Sequence, residues 1–162
     1  MGAIFRWVKE LWLSRKALGQ VVERATALLP QGGVGDTLDI FTIVGGRVKI
    51  TSIIGQVTAQ VGAVLNMTKL TATPTTGGDA DICADLDTQG YIIGRLLGIT
   101  GIPIDAMQSL GGVNPAQTQG VILKAGTLTL ECDGTTVTGK VRWTLHYVPV
   151  DIGASVVAVA IP

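Results

Sequence analysis

Apolar residues in the first thirty positions of the chain recur at helical spacing. One side of a helical wheel would carry, with a single break at Arg15, the residues Ile4, Val8, Leu11, Leu18, Val22, Ala25 and Leu29. Such a stripe is typical of an amphipathic α-helix. Pro30 and the glycines that follow it are a helix stop signal. We therefore predict a helix over residues 3–29, within an N-terminal helical arm of residues 1–30.

The apolar side of this predicted helix needs a partner surface, because Phe5 and two tryptophans widen it further. We predict that the helix packs on a sister subunit or a partner protein. The predicted interaction seam consists of Ile4, Val8, Leu11, Leu18 and Val22. Two alternatives remain open: the helix packs on the β-domain of its own chain, or it lies on a membrane surface, as its basic residues and tryptophans would favour.

From Asp36 onward the apolar period changes to two, which indicates β-strands. After a strand over residues 37–44, Gly45-Gly46 predicts a two-residue hairpin turn into a return strand over 48–54. Further strands are predicted over 56–65, 67–73, 80–86, 90–97, 120–124, 127–132, 137–148 and 154–160. Short strands separated by glycine turns, with no second helical period, are typical of a sandwich or a jelly roll.

The predicted fold class is mainly β: an antiparallel β-sandwich or jelly roll preceded by an N-terminal amphipathic α-helix. After the arm, we predict a glycine-rich linker over residues 31–36 and a β-sandwich domain over residues 37–162. Trp143 is predicted to be the largest side chain of the core. The core face of its strand is predicted to consist of Val141, Trp143, Leu145 and Tyr147.

Composition and charge exclude several classes of protein. Hydrophobic residues make up 47% of the 162 residues and charged residues 15%, which is too apolar for a disordered chain. The formal net charge is zero and no dense basic patch occurs, so we expect no nucleic-acid partner. No apolar run approaches the roughly 20 residues of a membrane-spanning helix, and basic residues interrupt any signal peptide. We expect the protein to be made and kept in a cytoplasm, or assembled there.

Residues that carry chemistry are few. His146 is the only histidine, so neither a Ser-His-Asp triad nor a zinc site with several histidines is indicated. Two cysteines are too few for a disulfide framework, and we predict that Cys83 and Cys132 are buried free thiols. We therefore predict no catalytic residue, no cofactor and no metal site, in a protein that is not an enzyme.

The densest acidic cluster consists of Asp79, Asp81, Asp85 and Asp87. Four carboxylates this close could hold Ca²⁺, but the glycine and glutamate of the EF-hand pattern are missing. We favour a strand over 80–86 whose even-numbered residues face inward, which leaves the carboxylates in solvent. Calcium binding remains the alternative.

Four segments form a recognisable set of strand-and-turn patterns: LDIFTIVGGRVKITSIIG (38–55), KLTATPT (69–75), DICADLD (81–87) and GKVRWTLHYVP (139–149). In these patterns, residues 37–160 resemble a group of small structural proteins encoded by tailed bacteriophages. The resemblance implies a virion component of the capsid decoration or cement type. It carries over no site residue.

Composition and resemblance together lead us to expect a non-enzymatic virion protein that stabilises the head shell through apolar and β-mediated contacts. The expected partners are the major capsid protein or another virion protein, and further copies of the chain in a homo-oligomer, with a trimer favoured. The expected location is the virion, after assembly in the host cytoplasm. The alternatives are a fibre, vertex or tail-associated receptor-binding module, and a membrane-surface protein anchored by the N-terminal helix.

Overall fold

The structure, a computed structural model, describes residues 19–30, 33–113, 116–134 and 138–161. Within these ranges the chain forms twelve β-strands and no helix, and hence no helix that could cross a membrane. The strands are β1 (Gln20–Leu28), β2 (Gly33–Val44), β3 (Val48–Ala59), β4 (Met67–Pro74), β5 (Ala80–Asp81), β6 (Leu86–Asp87), β7 (Leu96–Gly98), β8 (Gln108–Ser109), β9 (Val121–Leu123), β10 (Gly126–Gly134), β11 (Lys140–Pro149) and β12 (Ser155–Ala158). The prediction of a mainly β protein is confirmed for these residues.

The strands form two antiparallel sheets of six strands each. In the first, called sheet A, the strand order is β1-β11-β3-β7-β8, and β9 also pairs with β3. In the second, called sheet B, the order is β12-β2-β10-β4-β5, and β6 also pairs with β4. The chain crosses to the other sheet at most of its connections, so β1, β2 and β3 are not neighbours of one another.

The inner faces of both sheets share one hydrophobic core. Trp143 is the largest fully buried side chain in the described residues. As predicted, the core face of β11 consists of Val141, Trp143, Leu145 and Tyr147, none of them more than 3% exposed. Sheet B contributes side chains that include Ile40, Phe41, Leu70, Leu128 and Leu130. The packing of these two faces is what holds the sheets together, because buried apolar area is the main favourable contribution to folding.

Gly55 on β3 leaves room for the indole ring of Trp143. The two residues lie opposite each other in the β3–β11 ladder. A Cβ atom on Gly55 would lie 2.8 Å from Cη2 and Cζ3 of the Trp143 ring. The ring is buried and rigid, so it cannot move aside without disturbing the core.

The helix predicted over residues 3–29 is wrong in its last part. Gln20–Leu28 is the strand β1, which pairs with β11 from Gln20 opposite Tyr147 to Leu28 opposite Lys140. Residues 1–18 lie outside the described residues, so a helix in that segment stays a prediction.

A β-bulge explains why β1 has a helix-like pattern. The pairing register between β1 and β11 shifts between Arg24 and Ala27. The side chains that face inward are therefore spaced by two, three and two residues: Val22, Arg24, Ala27 and Leu29. The extra residue breaks the period of two and places Val22 and Leu29, seven residues apart, on the same face, as a helix would, whereas Ala25 of the predicted stripe is exposed.

The linker predicted over residues 31–36 is shorter than expected. β2 already begins at Gly33, which lies opposite Gly134 of β10. Because β1 belongs to sheet A, any arm outside the sheets ends before Gln20, not at residue 30.

The hairpin predicted at Gly45-Gly46 is wrong in its pairing, although the turn itself is present. Both glycines adopt positive φ angles, 74° and 138°. β2 before the turn belongs to sheet B, however, and β3 after it belongs to sheet A. The turn is therefore a corner between the sheets, since turn geometry alone does not specify which strands pair.

Arg47 and Asp151 fasten this corner to the connection between β11 and β12. The Asp151 carboxylate accepts hydrogen bonds from Arg47 N at 2.7 Å, from Nε at 3.0 Å and from Nη2 at 2.8 Å. The side-chain and backbone hydrogen bonds from Arg47 lower the pKa of Asp151 from 3.8 to about 2. Charge-assisted bonds of this kind favour the ionised carboxylate.

Most of the remaining strand predictions agree with the structure. Those over 67–73, 120–124, 127–132, 137–148 and 154–160 correspond to β4, β9, β10, β11 and β12. The strand predicted over 56–65 is the second half of β3 as far as Ala59. Those predicted over 80–86 and 90–97 contain only the short strands β5, β6 and β7. Between β5 and β6, Ala84 instead forms a parallel bridge with Ala106, which joins the segments that end the two sheets.

β1 is an edge strand with two features that oppose pairing with another chain. One is the bulge, and the other is Arg24, which points inward and is 1% exposed. Its three guanidinium nitrogens have no hydrogen-bond partner among the described residues. Burial lowers the pKa of Arg24, and the charge of Asp39 partly opposes that shift. Bulges and inward-pointing charges are known ways in which edge strands avoid edge-to-edge association.

The contact between Gly55 and Trp143 makes a first prediction. Gly55→Ala should lower the free energy of unfolding by about 1–3 kcal/mol, because the added methyl group overpacks the core against the indole ring. Gly78→Ala is the control, since a Cβ atom at Gly78 meets nothing within 4 Å. Chemical denaturation monitored by Trp fluorescence measures both. Equal stability of the two variants would contradict the packing described here.

The clamp between Arg47 and Asp151 makes a second prediction. Because the folded-state pKa of Asp151 is depressed to about 2 from 3.8, its contribution to stability is present above pH 3.8 and is lost as the pH falls towards 2. The melting temperature of Asp151→Asn should therefore lie below that of the wild type at neutral pH, and the gap should close on acidification. Asp79→Asn, which removes an exposed carboxylate outside any ion pair among the described residues, is the control. A gap that is independent of pH would rule out the clamp.

Candidate functional site

The His, Cys, Asp and Glu side chains of the described residues do not form a metal site. No group of three or more His, Cys, Asp or Glu side chains there could hold a metal ion. His146 is half-buried on the outer face of β11, in register with Val21 of β1 and Ser52 of β3. Its neighbours across the ladder offer neither a carboxylate nor a thiol.

Cys83 and Cys132 are buried free thiols, as predicted. Burial is the main reason that the pKa of each rises to about 11. The Sγ atom of Cys83 accepts a hydrogen bond from Leu70 N at 3.3 Å. Because the thiolate is the reactive form of cysteine, both groups are placed for packing and not for nucleophilic chemistry.

Two carboxylates of the acidic cluster accept hydrogen bonds from neighbouring groups of the chain. Asp81 accepts hydrogen bonds from Lys69 Nζ at 3.1 Å and from Thr71 Oγ1 at 2.9 Å, which ties β5 to β4. Asp87 accepts a hydrogen bond from Gln89 N at 2.9 Å. The predicted alternation over 80–86 is wrong, because Ala80 is exposed and Ile82 and Cys83 are both buried. The chain leaves the strand here to form the bridge at Ala84.

A buried polar cluster holds the loops at one end of the molecule. Asn66 Nδ2 donates hydrogen bonds to Thr88 Oγ1 at 2.9 Å and to Thr68 Oγ1 at 3.2 Å. All three side chains are at most 2% exposed. The cluster joins the end of the β3–β4 loop to the start of the segment between β6 and β7. Its buried hydrogen bonds therefore hold both loops in position from their inner side.

Those loops present an exposed patch that we call the apolar tip. It lies where β3 ends, on the segments 60–66, 88–94 and 110–113, none of which contains a charged residue. Each aliphatic side chain of the patch is 46–68% exposed: Val64, Leu65, Ile92, Ile93, Leu110 and Val113. Exposed aliphatic residues scattered singly are ordinary, but a group of six on adjacent loops indicates a contact surface.

Hydrogen bonds join the three segments of the apolar tip to one another. Gly90 N donates to Gly62 O at 2.9 Å, and Val61 N donates to Tyr91 O at 2.9 Å. Leu96 N donates to Gly111 O at 3.0 Å, which attaches the third segment. The tip is therefore a fixed surface whose side chains need little reordering on binding.

Arg95 is the nearest cation in sequence to Ile92 and Ile93, and its guanidinium group contacts other residues of its own chain. Its guanidinium carbon lies 3.9 Å from the centroid of the Tyr91 ring, and its Nε donates to Ser109 Oγ at 2.7 Å. These contacts stabilise the turn between β6 and β7 and hold the half-buried guanidinium against Tyr91, so Arg95 is a cation at the edge of the tip.

The outer face of sheet B is a second candidate surface, which we call the threonine face. One row across the strands places Thr127 between Thr42 and Thr73, and the next places Thr129 between Asp39 and Thr71. Its charges are largely paired, since Lys69 lies 3.1 Å from Asp81 and 3.6 Å from Glu131. Thr129 is only 6% exposed and its hydroxyl donates to Asp39 at 2.8 Å. The face therefore offers chiefly half-buried side chains: Thr42, Thr71, Thr73 and Thr127.

The residues of the predicted seam do not form a site in the described structure. Val22 lies on β1 and packs against the hydrophobic core of its own chain. The other four, Ile4, Val8, Leu11 and Leu18, lie outside the described residues, and their role stays a prediction. The apolar tip was missed because exposure of aliphatic residues in loops depends on how the loops fold. Its sequence signal is that the three segments are free of charge and rich in aliphatic residues.

Comparison with known proteins gives only distant likenesses. No family model matches the chain, and no curated protein matches it. A structure of infectious bursal disease virus, Gt strain, is similar at 8% sequence identity and a TM-score of 0.34, over 85% of this chain and 38% of that one. A structure of the Gx strain is similar at 11% identity and a TM-score of 0.23, over 86% of this chain and 34% of that one. This chain thus spans little more than a third of the length of those chains.

The burial of the two thiols makes a third prediction. A thiol reagent at about pH 8, close to the ordinary pKa of cysteine, should label Cys83 and Cys132 only as fast as the protein unfolds. Labelling in denaturing guanidinium chloride is the control and should be immediate. Rapid labelling of the native protein would show that at least one thiol is accessible and reactive.

Proposed function

We propose that the chain is a non-enzymatic structural protein of a tailed-phage virion, and specifically a capsid decoration protein bound to the outside of the head shell. The observation that carries the proposal is the strand order. When β6, β8, β9 and β12 are set aside, sheet A runs β1-β11-β3-β7 and sheet B runs β2-β10-β4-β5. Apart from β4 and β5, which share a sheet, successive strands of this set alternate between the sheets in the manner of an eight-stranded jelly roll, an architecture that recurs in viral capsid proteins, lectins and cupins.

Fold alone does not define function, so the proposal also draws on the sequence and the surfaces. The resemblance to small phage structural proteins covers residues 37–160 and points to a virion. The described residues offer no converging catalytic groups, but they do offer two extended contact surfaces. A protein that acts by covering a shell needs such surfaces and no reaction centre.

The threonine face is the surface that we assign to the shell. Threonine side chains are short and β-branched, so they lose little conformational freedom when a partner covers them. Because Lys69 is paired with Asp81 and Glu131, covering these ions costs less than covering isolated charges would. Repeated over many copies, a modest contact of this kind adds up to substantial stabilisation of a shell.

Copy number provides the fourth prediction. In purified particles, quantitative mass spectrometry should find this chain in numbers comparable with those of the major shell protein, since a decoration protein occupies repeated sites. A ratio of only a few per cent would contradict the proposal and favour a fibre, vertex or tail-associated module instead.

Matched variants test the assigned surface. Thr127→Lys introduces an unpaired charge into the threonine face and should weaken binding to particles that lack this protein by at least about tenfold. Thr144→Lys makes the same change on the outer face of sheet A, in register with Glu23 and Ile54, and should bind like the wild type. Normal binding by Thr127→Lys would remove this face from the contact.

A further inference from the structure

We infer that the apolar tip of one copy is the docking site for residues 4–18 of a neighbouring copy. This inference goes beyond the proposed function, because it concerns association of the chain with itself and would hold in the absence of any shell. It rests on three observations: the chemistry of the tip, the charge of the occupant, and the position at which the described chain begins.

The tip presents aliphatic side chains on segments that contain no charged residue. Ile93 is 66% exposed and Val113 is 68% exposed, and charged groups lie only at the rim. A fitting occupant must therefore contribute an apolar stripe and hold its charges outside the contact. Residues 4–18 have this pattern, because Ile4, Val8 and Leu11 recur at helical spacing between basic residues.

Charge complementarity favours this occupant. Residues 1–18 contain four basic and one acidic side chain, so they carry a net charge of +3, and the rest of the chain carries −3. Acidic residues lie beside the tip at the same end of sheet B, where Asp133 and Asp87 are both in register with Met67. Basic residues flanking the apolar stripe of the occupant would meet these carboxylates at the rim, which steers association and fixes orientation.

The position of Gly19 indicates that the occupant comes from another copy. β1 begins with Gln20 opposite Tyr147, and Tyr147 lies opposite Ile50 near the start of β3. The apolar tip lies beyond the other end of β3, where Gly94 N donates a hydrogen bond to Val57 O. The two places are separated by roughly the length of a nine-residue strand, or about 30 Å.

The predicted helix is too short to bridge this distance within one molecule. As a helix, residues 4–18 would extend only about 22 Å, at a rise of 1.5 Å per residue. They would have to run back along the whole of β1 to reach their own tip. The tip of an adjacent copy is available without that constraint.

Such a contact is heterologous, because the beginning of one chain meets the opposite end of the next. Contacts of this kind close into a ring when the rotation between copies allows it. The inference therefore explains how the predicted homo-oligomer could be cyclic without any use of the β1 edge.

Three single variants of the full-length chain test the contact. Ile93→Asp in the tip and Leu11→Asp in the proposed occupant should each raise the dissociation constant of self-association, measured by sedimentation velocity, by at least about tenfold. Ile104→Asp is the matched control, since Ile104 is 86% exposed in the connection between β7 and β8, outside the tip, and it should associate like the wild type. A variant that combines Ile93→Asp and Leu11→Asp should have a dissociation constant no higher than the higher of the two single variants, because both changes remove the same contact.

Photo-crosslinking identifies the occupant directly. p-Benzoylphenylalanine at position 93 should crosslink to residues 4–18, and mixing isotope-labelled with unlabelled chains should show that the crosslinked peptides come from different molecules. Circular dichroism and thermal melting check that every variant remains folded.

Several outcomes would overturn the inference. A wild-type chain that stays monomeric, an equal loss of association in Ile104→Asp, or crosslinks confined to one molecule would each do so. Flotation with phosphatidylcholine–phosphatidylglycerol vesicles that depends on Ile93 would assign the tip to a lipid surface instead. Crosslinks between the tip and any other segment of a second copy would remove residues 4–18 as its occupant.

Discussion

The mutual dependence of the two sheets is the constraint on which the structure rests. Neither sheet consists of strands that follow one another in sequence, because β11 lies between β1 and β3 and β10 lies between β2 and β4. The inner faces then share one core in which Trp143 fills the space left by Gly55. A change that loosens one sheet therefore exposes the apolar face of the other, and unfolding should be cooperative. The chain passes from sheet B to sheet A at Gly45-Gly46, and the hydrogen bonds of Arg47 with Asp151 hold this connection in place.

The sequence predicts those parts of the fold that depend on local pattern. The alternation from Val141 to Tyr147 identifies the central strand of sheet A and its core face, because every second side chain of a strand points to the same face of the sheet. The spacing of Val22 and Leu29 does not, because a bulged strand and a helix can both place residues seven positions apart on one face. Gly45-Gly46 predicts a turn with positive φ, yet the partner of each flanking strand is decided by packing far along the chain. The contact surfaces could not be predicted from the sequence for a similar reason: the exposure of Ile92 and Ile93 depends on loops that meet only in the folded protein.

The surfaces of the molecule differ in how they are suited to association. The edge of β1 carries a bulge and the inward-pointing Arg24, which disfavour strand addition. The apolar tip and the threonine face have no such protection, and both are held rigid by hydrogen bonds or by the sheet beneath them. Strand addition at the β1 edge is therefore disfavoured, and these two surfaces expose side chains, not open strand edges, to a partner.

The strand order also determines when the chain can fold during its own synthesis. Among the described residues, β1 pairs only with β11, and β2 pairs only with β10 and β12, so these two strands have no sheet neighbour until Gly126 and the residues after it are made. Until then, a chain that is 47% hydrophobic remains without most of the pairing described here. Sheet formation around β1 and β2 is therefore largely post-translational, and the nascent chain exposes apolar strands until β10 and β11 are completed.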